Sequence, residues 1–359
     1  MSTHPLVLRD SDISYILQNL DANALHSIIQ TLSISLREFS TSPSKVHQPL
    51  RQSISTSNGF TTLFMPSSNT TLTGIKTVTL NTATSASPKG VLTIFDETGE
   101  LQGVLNAEEL TGFRTALVSV VLLLKRIKAG SSVKNIVFFG TGKQAKWALS
   151  LCMNLIPDLQ QITIVGRSTV EHTREALPAA RRLNGVAKWS LSSPDCKFVA
   201  LAPQNDPDFN LNLEKAIGAS DAVFCCTPAT VPLFPIQYLK TQNDCYISLI
   251  GSYKPHMKEI DPLYLKRENV KVVVDSKVAC LAEAGEIIQA GLRAQDLIEI
   301  GEILGVDDSI LSEEYRGNLV FKCVGLAIMD LVVGAEILRL ARGQRAKRSS
   351  LGVEVPFFS

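Results

Sequence analysis

The residues best suited to chemistry sit in one run, Lys134 to Cys152, which contains Gly140-Thr141-Gly142-Lys143-Gln144-Ala145. Ile136 to Phe139 form a short apolar segment that reads as a buried strand. Gly140 permits a tight turn, Gly142 lets a pyrophosphate approach the backbone, and Ala145 fills the small position where helix and strand pack. The helix that follows offers N–H groups and the positive end of its dipole to phosphates. Glycines of this spacing also mark ordinary turns, but a strand before and a helix after favour a dinucleotide site.

A second stretch bears on the choice of dinucleotide. The next strand of such a fold commonly ends in a carboxylate that binds the ribose 2′-hydroxyl of NAD. Here Gln161 to Val165 is followed by Gly166-Arg167-Ser168. A guanidinium and a hydroxyl suit a 2′-phosphate, which favours NADP(H). The alternative is NAD(H), with Arg167 stacked on the adenine. Arg114 is the third feature, expected at the start of a helix running from Asn106 to Lys128 and re-capped near Thr111. A cation beside the positive end of a helix dipole implies an anion between them. Pairing with Glu108 or Glu109 explains the same residue equally well.

These residues need elements to hold them, and the chain is long enough for two domains at 359 residues. With 45% hydrophobic and 19% charged residues it has an ordinary globular composition. A net charge of +1 gives no broad attraction to nucleic acid or to an acidic membrane. The apolar run from Ala116 to Leu124 is too short to span a bilayer, and the N-terminus has no secretory pattern. Seven cysteines without C-x-x-C spacing read as buried free thiols in a reducing, cytoplasmic setting. The five histidines show no ligand spacing, so no metal is expected. Two helices are expected within residues 1–40, the second capped by Asp21. Short strands follow at Arg51–Ser55, Thr61–Met65, Gly74–Asn81, Gly90–Asp96 and Leu101–Asn106, a meander of antiparallel or mixed type. From Lys134 onward, strands buried on both faces alternate with helices: Ile136–Phe139, Ile162–Val165, Phe198–Leu201, Ala222–Cys226, Tyr246–Ile250 and Val270–Asp275. That pattern is a doubly wound parallel sheet. Ala202–Asn212 reads as a surface loop, and Asn318 to about Gly343 as one long apolar helix.

Several blocks together resemble the ornithine cyclodeaminase/mu-crystallin family. They are Met65-Pro66, Gly74-Ile75-Lys76, Leu110-Thr111-Gly112-Phe113-Arg114-Thr115-Ala116 and the glycine loop. Further on come Cys226-Thr227-Pro228, Gly251-Ser252-Tyr253-Lys254-Pro255 with Glu259, Asp275-Ser276, Glu283-Ala284-Gly285-Glu286 and the run from Val320 to Asp330. The resemblance implies an α/β protein in which a Rossmann doubly wound sheet, residues 129–317, is inserted into a mixed α+β domain. That domain, residues 1–128 completed by 318–359, would bind substrate and form a homodimer. It also implies that Arg51, Lys76 and Arg114 bind the carboxylate of a small amino or imino acid; Lys76 and Arg114, with Tyr253 as an additional donor near the imine, are the candidate catalytic residues. Thr115, Gly140, Thr141, Gly142, Gln144, Ala145, Gly166, Arg167, Ser168, Thr227 and Gly251 would bind the cofactor. In ornithine cyclodeaminases the position of Tyr253 holds a catalytic aspartate, which is the departure that matters most.

Three functions follow from these readings: NAD(P)H-dependent reduction of a C=N bond in a small, cyclic ketimine; cyclodeamination of ornithine to proline; and a crystallin-like, non-catalytic NADP-binding role. Lys76 and Arg114 argue against a mere binder, and Tyr253 argues against cyclodeamination. Two charge-assisted contacts to a 2′-phosphate are worth about 3 kcal/mol, roughly a hundredfold in affinity. Replacing Arg167 by Asp is therefore expected to reverse a preference for NADPH, and equal use of NADH and NADPH by the unmutated protein would contradict this assignment.

Overall fold

Threonine, valine and isoleucine crowd the chain between residues 52 and 106, where β-branched side chains suit a pleated surface. Five strands form there: β2 (Gln52–Ser55), β3 (Phe60–Ser68), β4 (Leu72–Asn81), β5 (Lys89–Asp96) and β6 (Leu101–Asn106). Each pairs antiparallel with the next. Two short strands complete a seven-stranded mixed sheet: β1 (Leu6–Leu8), parallel to β6, and β15 (Val353–Glu354), antiparallel to β1. The computed structural model describes residues 4–81, 88–178, 196–204, 206–239, 244–308, 310, 315, 317–345, 348 and 350–356. It divides into two compact units, Met1–Arg114 with Gly325–Ser359, and Thr115–Val324.

In the first unit the sheet is joined by α1 (Asp10–Gln18) and α2 (Ala22–Thr41), the latter capped by Asp21, whose side chain accepts from Ala24 N–H at 2.8 Å. A long C-terminal helix, Ala327–Arg345, lies over β3, β4 and β5 and against α2. Glycines allow that approach: a Cβ on Gly74 of β4 would lie 2.8 Å from Leu331 Cδ1. On the helix side, a Cβ on Gly334 would lie 2.6 Å from Leu92 Cδ2 of β5. Helix and sheet are thus close enough for short side chains to meet across their interface.

The second unit carries an eight-stranded sheet in which every pairing is parallel. Its strands are β7 (Asn135–Phe139), β8 (Gln161–Val165), β9 (Lys197–Leu201), β10 (Ala222–Cys225), β11 (Tyr246–Leu249), β12 (Val270–Val274), β13 (Leu297–Glu299) and β14 (Asn318–Lys322). The spatial order is β13-β12-β14-β11-β10-β7-β8-β9. The direction of winding reverses between β7 and β10, the place where doubly wound sheets bind ligands at the carboxyl ends of their strands. Phe138 stacks on Phe224 at 5.0 Å between ring centroids, and Phe224 meets Tyr246 edge-on at 5.9 Å, which ties β7, β10 and β11 together.

Three local expectations are corrected. The helix α3 runs unbroken from Glu108 to Lys128, so Arg114 is its seventh residue and not its first. The dipole field is concentrated in the terminal turn, which removes the argument for an anion held between Arg114 and the helix end. Asn318–Lys322 is the strand β14, inserted between β11 and β12, and the helix begins only at Ala327. Gly325 separates the two at φ +94°, a conformation that ends the extended chain at little cost only in glycine. Ala202–Asn212 is a loop only in part, because a helix starts inside it at Phe209 and runs to Gly218; Asn205 lies outside the described residues.

Candidate functional site

In the first unit three charged side chains are almost fully removed from solvent: Lys76 at 2% exposure, Arg114 at 3% and Asp330 at 0%. Lys76 shares a face of β4 with Gly74, the face covered by the C-terminal helix, here labelled α10. Asp330 lies in the first turn of α10, where the helix dipole favours a carboxylate. Gln48 Oε1 accepts from Ile328 N–H at 2.7 Å and caps that turn. One oxygen of Asp330, Oδ1, then accepts from Lys76 Nζ at 2.9 Å and from Arg114 Nε at 3.1 Å. Asp330 Oδ2 is buried without a hydrogen-bond partner. The Arg114 guanidinium also donates to Met329 Sδ at 3.5 Å and lies along Gly325, where a Cβ would come within 3.0 Å of Nη2.

Burial pushes the Lys76 ammonium down to about 8, against the pull of Asp330, and Arg114 and Arg51 press it the same way. Arg51, just before β2 and half-buried, is therefore within electrostatic reach of Lys76. Two cations act on Lys76 against one carboxylate, an environment that welcomes an anion.

In the second unit, α4 (Lys143–Leu155) opens directly after the glycine loop, with Gly142 as its N-cap. Gly140, at φ +105°, makes the turn, and a Cβ there would press on Thr227 Cγ2 at 3.1 Å. A Cβ on Gly142 would meet nothing within 4 Å, so the backbone is open to a close ligand. Ala145 is buried, while Thr141 and Gln144 are half-buried at the helix mouth. After β8, Gly166 is buried against Thr173 of α5 (Val170–Arg174), Arg167 is exposed and Ser168 half-buried. The hydroxyls of Thr115 and Thr227 are buried with no hydrogen-bond partner. Buried hydroxyls are seldom left so, and both fit a ligand rich in acceptors such as a dinucleotide.

Beneath Thr227 and Gly251 lies a set of charges that were expected only as parts of the blocks carrying the resemblance, without a role at the site. Lys322, Glu259 and Glu286 are buried at 1%, 0% and 0% exposure. Glu259 accepts from the N–H groups of Thr227 and Gly251, each at 2.8 Å. Burial raises the proton affinity of its carboxyl, with Glu286 adding to the rise, while Lys322 and the N–H groups of Thr227 and Gly251 favour the charged form. Tyr253, next along, is half-buried, with Lys254 Nζ 5.6 Å from its ring centroid. The missed roles had a legible signal. Lys322 and Asp330 interrupt strongly apolar runs, and a charge in such a run must find a buried partner. Among the described residues no cluster suited to a metal ion occurs.

No protein-family model matches the chain. It is 27% identical to a Bacillus cereus Delta(1)-pyrroline-2-carboxylate reductase, over 93% of this chain and 96% of that protein. It is 26% identical to the mouse ketimine reductase mu-crystallin, over 70% of this chain and 69% of that protein. Among solved structures, a Thermococcus litoralis Delta(1)-pyrroline-2-carboxylate reductase in complex with NADH and L-proline superposes with a TM-score of 0.73. It covers 98% of this chain and 100% of its own at 21% identity, a likeness of fold. The sheet order, the two sites and these relatives define an α/β protein with a Rossmann unit. In sequence the chain is similar to proteins of the ornithine cyclodeaminase/mu-crystallin family.

Replacing Asp330 by Asn removes the one carboxylate shared by Lys76 and Arg114. Breaking a buried ion pair from one side costs about 3–5 kcal/mol. The urea midpoint of Asp330→Asn is expected to fall accordingly, and an unchanged midpoint would show that Asp330 does not hold these cations.

Proposed function

We propose that this protein is an NAD(P)H-dependent oxidoreductase that reduces the C=N bond of a small ketimine of a 2-oxo acid, cyclic in form. The cluster of Lys76, Arg114 and Asp330 carries this reading. Arg114, with Arg51, anchors the substrate carboxylate, for which a planar guanidinium is the best-matched donor. Lys76 holds a proton that is mobile near neutral pH and delivers it to the imine nitrogen. Asp330 fixes the rotamers of both cations and keeps Lys76 charged until that transfer. The cofactor, when bound, supplies the hydride that completes the new C–H bond. Tyr253 serves as a second hydrogen-bond donor.

Support for the dinucleotide comes from the glycine loop, the open approach at Gly142 and the orphaned hydroxyls of Thr115 and Thr227. The exposed Arg167 beside Ser168 supports NADP(H) as the preferred form, with NAD(H) as the lesser one. Gln144 and Ala145 at the helix start, Thr141 in the turn and Gly166 and Gly251 at strand ends complete the proposed cofactor set. In this reading the unit from Thr115 to Val324 binds the dinucleotide and the other unit binds the substrate.

Cyclodeamination of ornithine asks for a base as well as a donor. A carboxylate at position 253 would supply one, whereas an ordinary phenol, with a pKa near ~10, stays protonated. Losing a positioned base costs about 10²–10⁴-fold, enough to remove that reaction and leave imine reduction intact. A crystallin-like binder has no need of a buried lysine whose proton affinity is tuned toward neutrality.

The decisive assay follows NADPH oxidation with Δ1-pyrroline-2-carboxylate and Δ1-piperideine-2-carboxylate, and ammonia release from ornithine with NAD(P)⁺. Imine reduction without ammonia release is expected; the reverse pattern would sink the proposal. If Lys76 is the donor, kcat/KM for the imine falls about tenfold per pH unit above pH about 8, because the deprotonated amine cannot deliver a proton. Bound substrate carboxylate stabilises the ammonium, so the inflection in kcat lies at higher pH. A profile flat from pH 7 to 10 would remove Lys76 from that role.

The first unit also supports a homodimer. Leu50, Ile54 and Phe60, in and beside the edge strand β2 and its neighbour, are exposed at 50%, 60% and 40%. An exposed apolar sheet edge is normally covered by a partner. Light scattering at micromolar concentration is expected to give twice the chain mass, and a monomer would contradict the assignment. None of the seven cysteines is in a disulfide, which suits a reducing compartment such as the cytoplasm. No helix among the described residues is long and apolar enough to cross a membrane.

A further inference from the structure

Glu259 is wholly buried, yet it lies in an irregular segment between β11 and β12 and belongs to neither strand ladder. Its two carboxylate oxygens are committed to two different loops. Oε1 accepts from Thr227 N–H at 2.8 Å, in the loop after β10. Oε2 accepts from Gly251 N–H at 2.8 Å and Ser252 N–H at 3.2 Å, in the loop after β11. The loops touch: a Cβ on Gly251 would lie 2.1 Å from the Thr227 carbonyl oxygen. One carboxylate therefore sets their spacing where the parallel ladder can no longer do so.

A second tier holds the first. Glu286 Oε1 accepts from the backbone N–H of Glu259 at 2.8 Å and from Ser252 Oγ at 2.5 Å. Lys322, the last residue of β14, donates to the Ser252 carbonyl at 2.6 Å and to Ser252 Oγ, and its ammonium lies 3.3 Å from Glu286 Oε2. Two carboxylates, one ammonium and one hydroxyl thus fix the Glu259 backbone and the Ser252 loop from below.

We propose that Glu259, held by Glu286 and Lys322, is a positioning residue that locks the Thr227 and Gly251–Ser252 loops in the geometry that grips the dinucleotide, and so sets NAD(P)H affinity. This rests on reading Thr227 and Gly251 as cofactor-binding. The chemistry demands a carboxylate, because both oxygens must accept N–H groups. A glutamine has one acceptor oxygen, and its amide NH₂ would face the backbone N–H of one loop.

The test is Glu259→Gln, with NADPH binding followed by nicotinamide fluorescence and folding checked by circular dichroism. Losing charge-assisted bonds to one loop is expected to raise the Kd and the KM for NADPH about 10–100-fold. At saturating NADPH, kcat and the KM for the imine should stay within about threefold, a split that general damage to the fold would not produce. A folded variant with unchanged NADPH Kd overturns the proposal, as does failure of the unmutated protein to bind NADPH or NADH. If Glu259→Gln does not fold, Ser252→Ala decides. It keeps the backbone bonds to Glu259 and the bond from Lys322 to the residue 252 carbonyl but removes the hydroxyl that ties this loop to Glu286, and roughly 3–10-fold weaker binding is expected, with an unchanged Kd overturning the idea. Should no imine be turned over while NADPH binds and Glu259→Gln weakens it, the positioning role stands and the reductase assignment falls.

Discussion

A single carboxylate oxygen in the first unit receives both a lysine and an arginine, all three side chains buried almost completely. Charges in such a place are costly, and the desolvation of Lys76 outweighs the attraction of Asp330. Much of the surrounding architecture serves that contact. The glycines of β4 and of α10 bring helix and sheet together, and Gln48 caps the helix turn that carries Asp330. An apolar pair of similar volume would stabilise the fold at least as well. Ionic groups kept there are best understood through chemistry: a lysine whose proton is mobile near neutrality, beside a guanidinium shaped for a carboxylate.

The second unit solves a related problem with the opposite sign. Its buried set holds two carboxylates and one ammonium, and its backbone N–H donors come from the ends of two parallel strands. Loops at such ends leave the ladder with unpaired groups, which buried side chains or ligands must satisfy. Glu259 satisfies three of them, while the hydroxyls of Thr115 and Thr227 are buried without a hydrogen-bond partner. Rigid support from below and unsatisfied groups above are what a preorganised binding surface requires.

Family likeness and local chemistry agree on reduction of a C=N bond, and they do so through different residues. Two of the relatives that span most of the chain are, by name, a Delta(1)-pyrroline-2-carboxylate reductase and a ketimine reductase. In the proposed reading the chain's own contribution is the buried Lys76, with a proton affinity lowered toward neutrality, and Tyr253, at the position where the resemblance implies an aspartate in cyclodeaminases. A phenol donates where a carboxylate would accept, and reduction needs only donation.

Much was legible in the primary structure because the signals were local. The glycine loop, Arg167 after β8, the cap at Asp21 and the strands β2 to β12 follow from spacing and side-chain type. What tertiary structure decided were the partners. Arg114 meets Asp330 from 216 residues away and Lys76 meets it from 254, separations that no periodicity encodes. Strand β14 was hidden for a related reason. Between Asn318–Lys322 and the apolar helix stand only Cys323 to Leu326, and a short apolar run fits strand or helix until its neighbours are known. Only the sheet, by leaving a slot between β11 and β12, makes that segment a strand and sets Lys322 at its end.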